Sequence, residues 1–271
     1  MAKTDTAFSG AIAQFYDQYF GYPLFGPHAE KVARRVAGLS SGSVLEVAAG
    51  TGIATAILAQ SLPADVELIA TDLNQPMLDF AATKPELNRV TWRQADATAL
   101  PFPDDSFDAV ICQFGVMFYP NRRKGHAEAY RVLKPGGRYV FNVWDRISRT
   151  TIFEIVHETI AGLYPAHPPG FIARTPCGYH DEAVIKSDLR ASGFEDPDVE
   201  MVEVTWSAAS VRDPAVAFCQ GSPLRAEIEA VDPDGLDRAT QAVTEAIVAH
   251  LNGRPPAFPT RALLFEAVKR I

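Results

Sequence analysis

The stretch Ser43-Val44-Leu45-Glu46-Val47-Ala48-Ala49-Gly50-Thr51-Gly52 constrains the fold more than any other part of the chain. Its first half is a run of β-branched and apolar residues around one acid, the composition of a strand covered on both faces. Ile53 to Leu62 reads as a helix. The glycines between permit a tight turn and a close approach of ligand to backbone. A strand, a glycine turn and a helix N-terminus in succession make a nucleotide-binding site. Further strand candidates follow at 66–71, 89–95, 107–113 and 137–144, with helices at 53–62, 75–83 and 122–133 between them. Such alternation predicts an α/β chain with a doubly wound, mostly parallel sheet and right-handed crossovers. Lys134-Pro135-Gly136-Gly137 stops one helix and turns into the strand that ends at Trp144.

The flanks carry a different pattern. Ile12, Phe15, Tyr16, Tyr19 and Phe20 form one apolar helical stripe, and Ala29, Val32, Ala33, Val36 and Ala37 repeat it after a break at Gly21 to Pro27. Beyond Asp145 a helix at 151–163 runs into the proline-rich connection Tyr164 to Gly170. Asp181 caps a helix that Gly193 stops, and Val199 to Trp206 reads as a strand. A helical block at 212–251, with Leu236, Val243, Ile247 and Leu251 on one side, separates it from a closing strand at 261–268. A length of 271 residues suits one domain with insertions. Its core is expected at about 40–146, 181–206 and 259–271, and added elements at about 8–27, 147–180 and 212–251.

Composition excludes several classes. No window of about 18 apolar residues exists, so no membrane span is expected. The start MAKTDTAFSG lacks the apolar core of a signal peptide, and Cys112, Cys177 and Cys219 are odd in number and far apart. Both features point to the reducing cytoplasm. A net charge of −8, with no basic run longer than Arg122-Arg123-Lys124, argues against nucleic acid as partner. The six histidines show no metal-site spacing, and no metal is expected.

The choice of nucleotide follows from what the loop lacks. A dinucleotide fingerprint needs a third glycine where Thr55 stands, and a P-loop needs a lysine, absent between Lys31 and Lys84. A ligand that presents no phosphate to this loop fits better. Asp72 closes the second strand twenty residues after Gly52, where a carboxylate can accept from two ribose hydroxyls. Asp96 closes the third strand, within reach of an adenine amino group, and Gln113 closes the fourth. Strand carboxyl ends of an open sheet share one crevice, so Glu46, Asp72, Asp96 and Gln113 are expected to converge there.

Together these residues resemble the class I S-adenosylmethionine-dependent methyltransferases, particularly the small-molecule branch called type 11. The resemblance covers roughly residues 40 to 145. It rests on Glu46-Val47-Ala48-Ala49-Gly50-Thr51-Gly52, Asp72, Asp96-Ala97, Leu100-Pro101-Phe102, Ser106-Phe107-Asp108 and Arg131-Val132-Leu133-Lys134-Pro135-Gly136-Gly137. It implies a seven-stranded Rossmann-like sheet with helical insertions forming a cap. It also implies S-adenosylmethionine as cofactor and S-adenosylhomocysteine as product. In that family the glycine loop packs on the methionine part, Asp72 would hold the ribose, and Leu73 and Met77 would line the adenine. Asp96 with Ala97 would read the adenine edge, and Glu46 would hold the cofactor ammonium directly or through water. The family's loop has glycine where this chain has Ala48, a methyl that an extended backbone with negative φ would tolerate.

The implied reaction is in-line methyl transfer to a small organic molecule, which demands alignment above all. A regulatory protein that binds the cofactor without chemistry is the alternative. A nucleic-acid base methyltransferase would favour Asn/Asp-Pro-Pro-Tyr/Phe where this chain has Cys112-Gln113-Phe114-Gly115. Tyr16, on the first helix, and His180, just before a later one, are the candidate catalytic groups. Core packing for Tyr16 and a capping role for His180 are the competing readings.

Overall fold

The computed structural model describes residues 12–270. Seven strands form one sheet: β1 (Gly42–Val47), β2 (Val66–Asp72), β3 (Thr91–Gln94), β4 (Phe107–Gln113), β5 (Leu133–Trp144), β6 (Asp198–Ser207) and β7 (Ala257–Val268). Their order is β3-β2-β1-β4-β5-β7-β6. The first five pair in parallel, while β7 runs antiparallel between β5 and β6. The direction of winding reverses between β1 and β4, so the strand ends separate there and leave a crevice.

Period-2 alternation decides which helices cover which face. Val44, Ala109, Ile111, Val140 and Leu264 pack on one side with Val32 of α2 (Gly26–Arg34), with Val36 just after it, and with Leu58 of α3 (Ile53–Ser61). Their chain neighbours Leu45, Val110, Cys112, Tyr139, Phe141 and Phe265 face the other side. There they meet α5 (Arg122–Val132), α6 (Thr151–Leu163) and α8 (Glu182–Ala191). The crossover α4 (Gln75–Ala81) joins β2 to β3, and the one-turn α7 (Phe171–Arg174) lies between α6 and α8 in the chain.

Several expected boundaries move. The break expected at Gly21–Pro27 narrows to Gly21, whose φ 15° and ψ −139° are non-helical, and helical backbone resumes before Pro27. A short α1 (Ile12–Phe15) runs into a π-helical stretch Tyr16–Phe25, kinked at Gly21, and on into α2. The Lys134–Gly137 turn is looped out inside β5, whose pairing with β4 jumps from Phe107↔Leu133 to Ala109↔Arg138. The block 212–251 divides into α9 (Asp213–Gln220), α10 (Leu224–Val231) and α11 (Leu236–Leu251), and it does lie between β6 and β7. The closing strand begins earlier than expected, and Pro259 pairs with Thr205 of β6. The partners of β5 end at Ala262, so proline sits where β7 has one neighbour rather than two.

Candidate functional site

At the β1/β4 switch point lies a crevice lined by Ala48, Gly50, Asp72, Leu73, Met77, Asp96, Ala97 and Gln113. Eight of the ten sequence-derived cofactor positions therefore share one surface. Asp72 braces two turns: Oδ2 accepts from the Gly50 amide at 2.9 Å and Oδ1 from the Asn74 amide at 2.8 Å. Burial pushes its pKa up, and those amides draw it back down. Asp96 is held by Thr98, whose amide donates to Oδ1 at 2.7 Å and whose hydroxyl donates at 2.8 Å. Met77 is buried, while Leu73 is half exposed at the rim.

Glu46 lines a smaller recess under the loop, together with Gly50, Thr51, Gln113, Tyr16 and Phe25. It is buried, and its Oε2 has no hydrogen-bond partner. Thr51 Oγ1 and Gln113 Oε1 are likewise buried without one. Three polar atoms left so at one recess fit a polar ligand head group, since leaving each unpaired costs about 1–3 kcal/mol. Gly50 has φ 57°, and a Cβ built on it would meet nothing within 4 Å, so the loop leaves open space there. Gly52 (φ 84°) instead lies against the protein, where a Cβ would come within 2.9 Å of Leu87.

Ala48 corrects one expectation: its backbone is left-handed, with φ 58°, rather than extended. The methyl fits because Gly115 makes room, since a Cβ there would lie 2.5 Å from that of Ala48. L-residues lose roughly 1–2 kcal/mol in this conformation. Ala48→Gly is therefore expected to raise the unfolding free energy by up to about 1 kcal/mol after the entropy glycine adds to the unfolded chain. Urea unfolding checks it, and an unchanged or lower midpoint would count against strain at this residue.

A second cavity adjoins the first and is lined by aromatic rings. Tyr16, Phe20 and Phe25 come from the N-terminal segment, Phe114, Phe118 and Trp144 from the β4 and β5 ends, Phe153 and Phe171 from 147–180, and Phe218 from 212–251. Ser222 and Tyr16 are its polar members, and among the described residues no Asp, Glu, Lys, Arg or His lines it. Tyr16 borders both cavities and the recess. Burial, then the charges of Asp72 and Asp17, hold its hydroxyl well above the usual tyrosine range. The shift favours the protonated hydroxyl, a hydrogen-bond donor. His180 lines neither cavity; its Nδ1 donates to the Cys177 carbonyl at 2.7 Å, just ahead of α8. Sequence reading missed the run Phe114 to Tyr119, whose place directly after a strand carboxyl end was the available signal.

Strand order, glycine loop and acidic strand ends together define a class I S-adenosylmethionine-dependent methyltransferase. A methyltransferase domain family model (type 11) matches residues 45–141. The chain is 44% identical over 171 residues to the demethylmenaquinone methyltransferase of Clavibacter sepedonicus, covering 59% of this chain and 69% of that one. With the demethylmenaquinone methyltransferase of Thermus thermophilus it shares 42% over 164 residues, 56% of this chain and 73% of the relative. Phosphoethanolamine N-methyltransferase 2 of Haemonchus contortus, solved with S-adenosyl-L-methionine, has the same fold: TM-score 0.61 at 18% identity, over 96% of this chain and 57% of that one. The chain belongs to the small-molecule branch of the S-adenosylmethionine-dependent methyltransferases. Its reaction is methyl transfer from that cofactor to a small organic molecule.

Proposed function

We propose that the acceptor is a neutral, flat, largely apolar ring compound held in the aromatic chamber. The absence of any charged side chain among the described residues that line the chamber carries this reading. Burying an ionised acceptor there without a partner would cost several kcal/mol, whereas rings stacked on rings gain area and geometry-specific attraction. The two relatives are named for acting on demethylmenaquinone, a quinone, and a quinone or quinol ring satisfies the same chemistry.

Roles for the chain's own groups follow. Glu46 pairs with the cofactor's ammonium, Asp72 accepts from its ribose hydroxyls, and Asp96 with Ala97 reads its adenine, beside Leu73 and Met77. The backbone at Ala48, Gly50 and Gly52 leaves room for the methionine part, with Gln113 below it. When bound, the cofactor supplies an electrophilic methyl on a sulfonium. Tyr16 stands at the junction of the two cavities, where its hydroxyl can orient an acceptor oxygen. With no Asp, Glu, Lys or His among the described residues that line the chamber, alignment and exclusion of water are what these residues contribute.

The chain is read as one domain, a core of 40–146, 181–206 and 259–271 under a cap of 8–27, 147–180 and 212–251. Residues 8–11 of that cap lie outside the described residues. Each cap segment contributes rings to the chamber, which supports this division. Among the described residues no helix is long and apolar enough to cross a membrane. Three buried free thiols, Cys112, Cys177 and Cys219, suit a cytoplasmic setting. A chamber lined by aromatic rings supports a compact acceptor over a nucleic-acid duplex.

A methyl-transfer screen that reads S-adenosylhomocysteine is the test. Turnover of neutral ring acceptors, with none on amines, phosphorylated compounds, DNA or protein, is expected. Turnover confined to charged acceptors or macromolecules would overturn the assignment.

A further inference from the structure

One lysine ties together three elements around the cofactor crevice. Lys84 follows α4, the helix that places Met77 in the crevice wall. Its Nζ donates to Asp17 Oδ1 at 2.6 Å and to the Thr51 carbonyl at 2.9 Å. Thr51 is the residue between the two loop glycines, and Asp17 directly follows Tyr16 on the aromatic segment. The Lys84 and Asp17 side chains are only 18% and 22% exposed, so this pair is screened less than a surface pair.

The position of the pair gives it a consequence. The recess that holds Glu46 is lined in part by Tyr16 and Phe25, both from the segment that Asp17 belongs to. The adenine end of the crevice, by contrast, opens at half-exposed Leu73. A ligand whose polar amino-acid end fills the recess lies against that segment. The segment is tied to the glycine loop by the Lys84 ammonium.

We propose that Lys84 is a positioning residue that latches the Tyr16 segment onto the glycine loop. Opening of the Lys84–Asp17 pair then sets how fast cofactor and product exchange. The inference rests on the cofactor placement proposed above. Because Tyr16 also borders the acceptor chamber, the latch fixes one of the three rings, with Phe114 and Phe118, that border both cavities. It acts through Asp17 and Thr51 and touches no reacting atom.

The experiment is stopped-flow dissociation of S-adenosylhomocysteine from the full chain, which needs no knowledge of the acceptor. Lys84→Met and Asp17→Asn are each expected to speed dissociation by about tenfold, the scale of one partly buried charged contact. The double variant should be little faster than either single one, as for two residues sharing one interaction. Lys84→Arg, which keeps the charge, should restore slow release, and a merely structural lysine would not show this pattern. Circular dichroism confirms that each variant is folded. Dissociation unchanged in folded Lys84→Met, or fully additive effects of the two substitutions, would overturn the latch. Failure of the unaltered protein to bind the product would instead overturn the cofactor placement itself, and the latch with it.

Discussion

Asp72→Ala is expected to weaken S-adenosylmethionine binding by about 10- to 150-fold, the equivalent of about 1.5–3 kcal/mol for charge-assisted hydrogen bonds. Two losses add to this. The carboxylate stands at the end of β2, where it would accept from the ribose, and it also holds the Gly50 and Asn74 amides in place. Removing it frees the glycine loop and the turn into α4 together, so the ligand must order both on binding. Asp72→Asn should fall between alanine and the unaltered protein, because its amide oxygen can still accept from one of the two turns. Calorimetric titration with cofactor and product measures the effect, with circular dichroism to establish folding. Unchanged affinity in folded Asp72→Ala would mean that the ribose lies elsewhere.

The second large effect concerns pH. Burial raises the Glu46 pKa to about 8, the Thr55 hydroxyl draws it down, and the nearby Asp72 charge raises it again. In the unfolded chain a glutamate titrates near about 4.3. Between those values the folded protein holds a proton that the unfolded chain has lost, so folding stability decreases as pH rises. The slope approaches about 1.4 kcal/mol per pH unit within that window and vanishes above about pH 8, where both states are ionised. Glu46→Gln, a neutral isostere, should flatten this part of the ligand-free stability profile and be more stable than the unaltered protein at pH 8.

Cofactor binding carries the opposite sign, because the ammonium proposed to dock at Glu46 needs the carboxylate. Affinity should climb by up to about tenfold per pH unit from pH 6 toward pH 8, with release of a proton on binding. Glu46→Gln should bind more weakly at pH 8 and lose that dependence. Urea unfolding from pH 5 to 9 and titration in buffers of different ionisation enthalpy measure the two halves. A pH slope that survives Glu46→Gln in both would exclude this carboxyl as its origin.

Sequence alone determined the parallel part of the sheet and which strand-end residues meet at one crevice, because those signals are local. Strand-end acids Glu46, Asp72 and Asp96 sit at positions that period-2 alternation and glycine turns fix within a few residues. Wherever the next strand lies, a parallel βαβ unit points those ends into one crevice. Apolar stripes such as Leu236, Val243, Ile247 and Leu251 show that a face is buried, but not against what.

Only the tertiary structure decided the rest. It placed β7 antiparallel between β5 and β6, and it brought Tyr16, Phe153 and Phe218 to one chamber across more than two hundred residues of chain. It also set the conformation of Ala48 by leaving Gly115 without a side chain opposite it. His180 lay next to a helix, as read, but no local pattern could say whether it reached the chamber, and its Nδ1 is turned to Cys177 instead. The physical reason is common to all four. Pairing across distant strands and packing between helices depend on partners that the local sequence does not name.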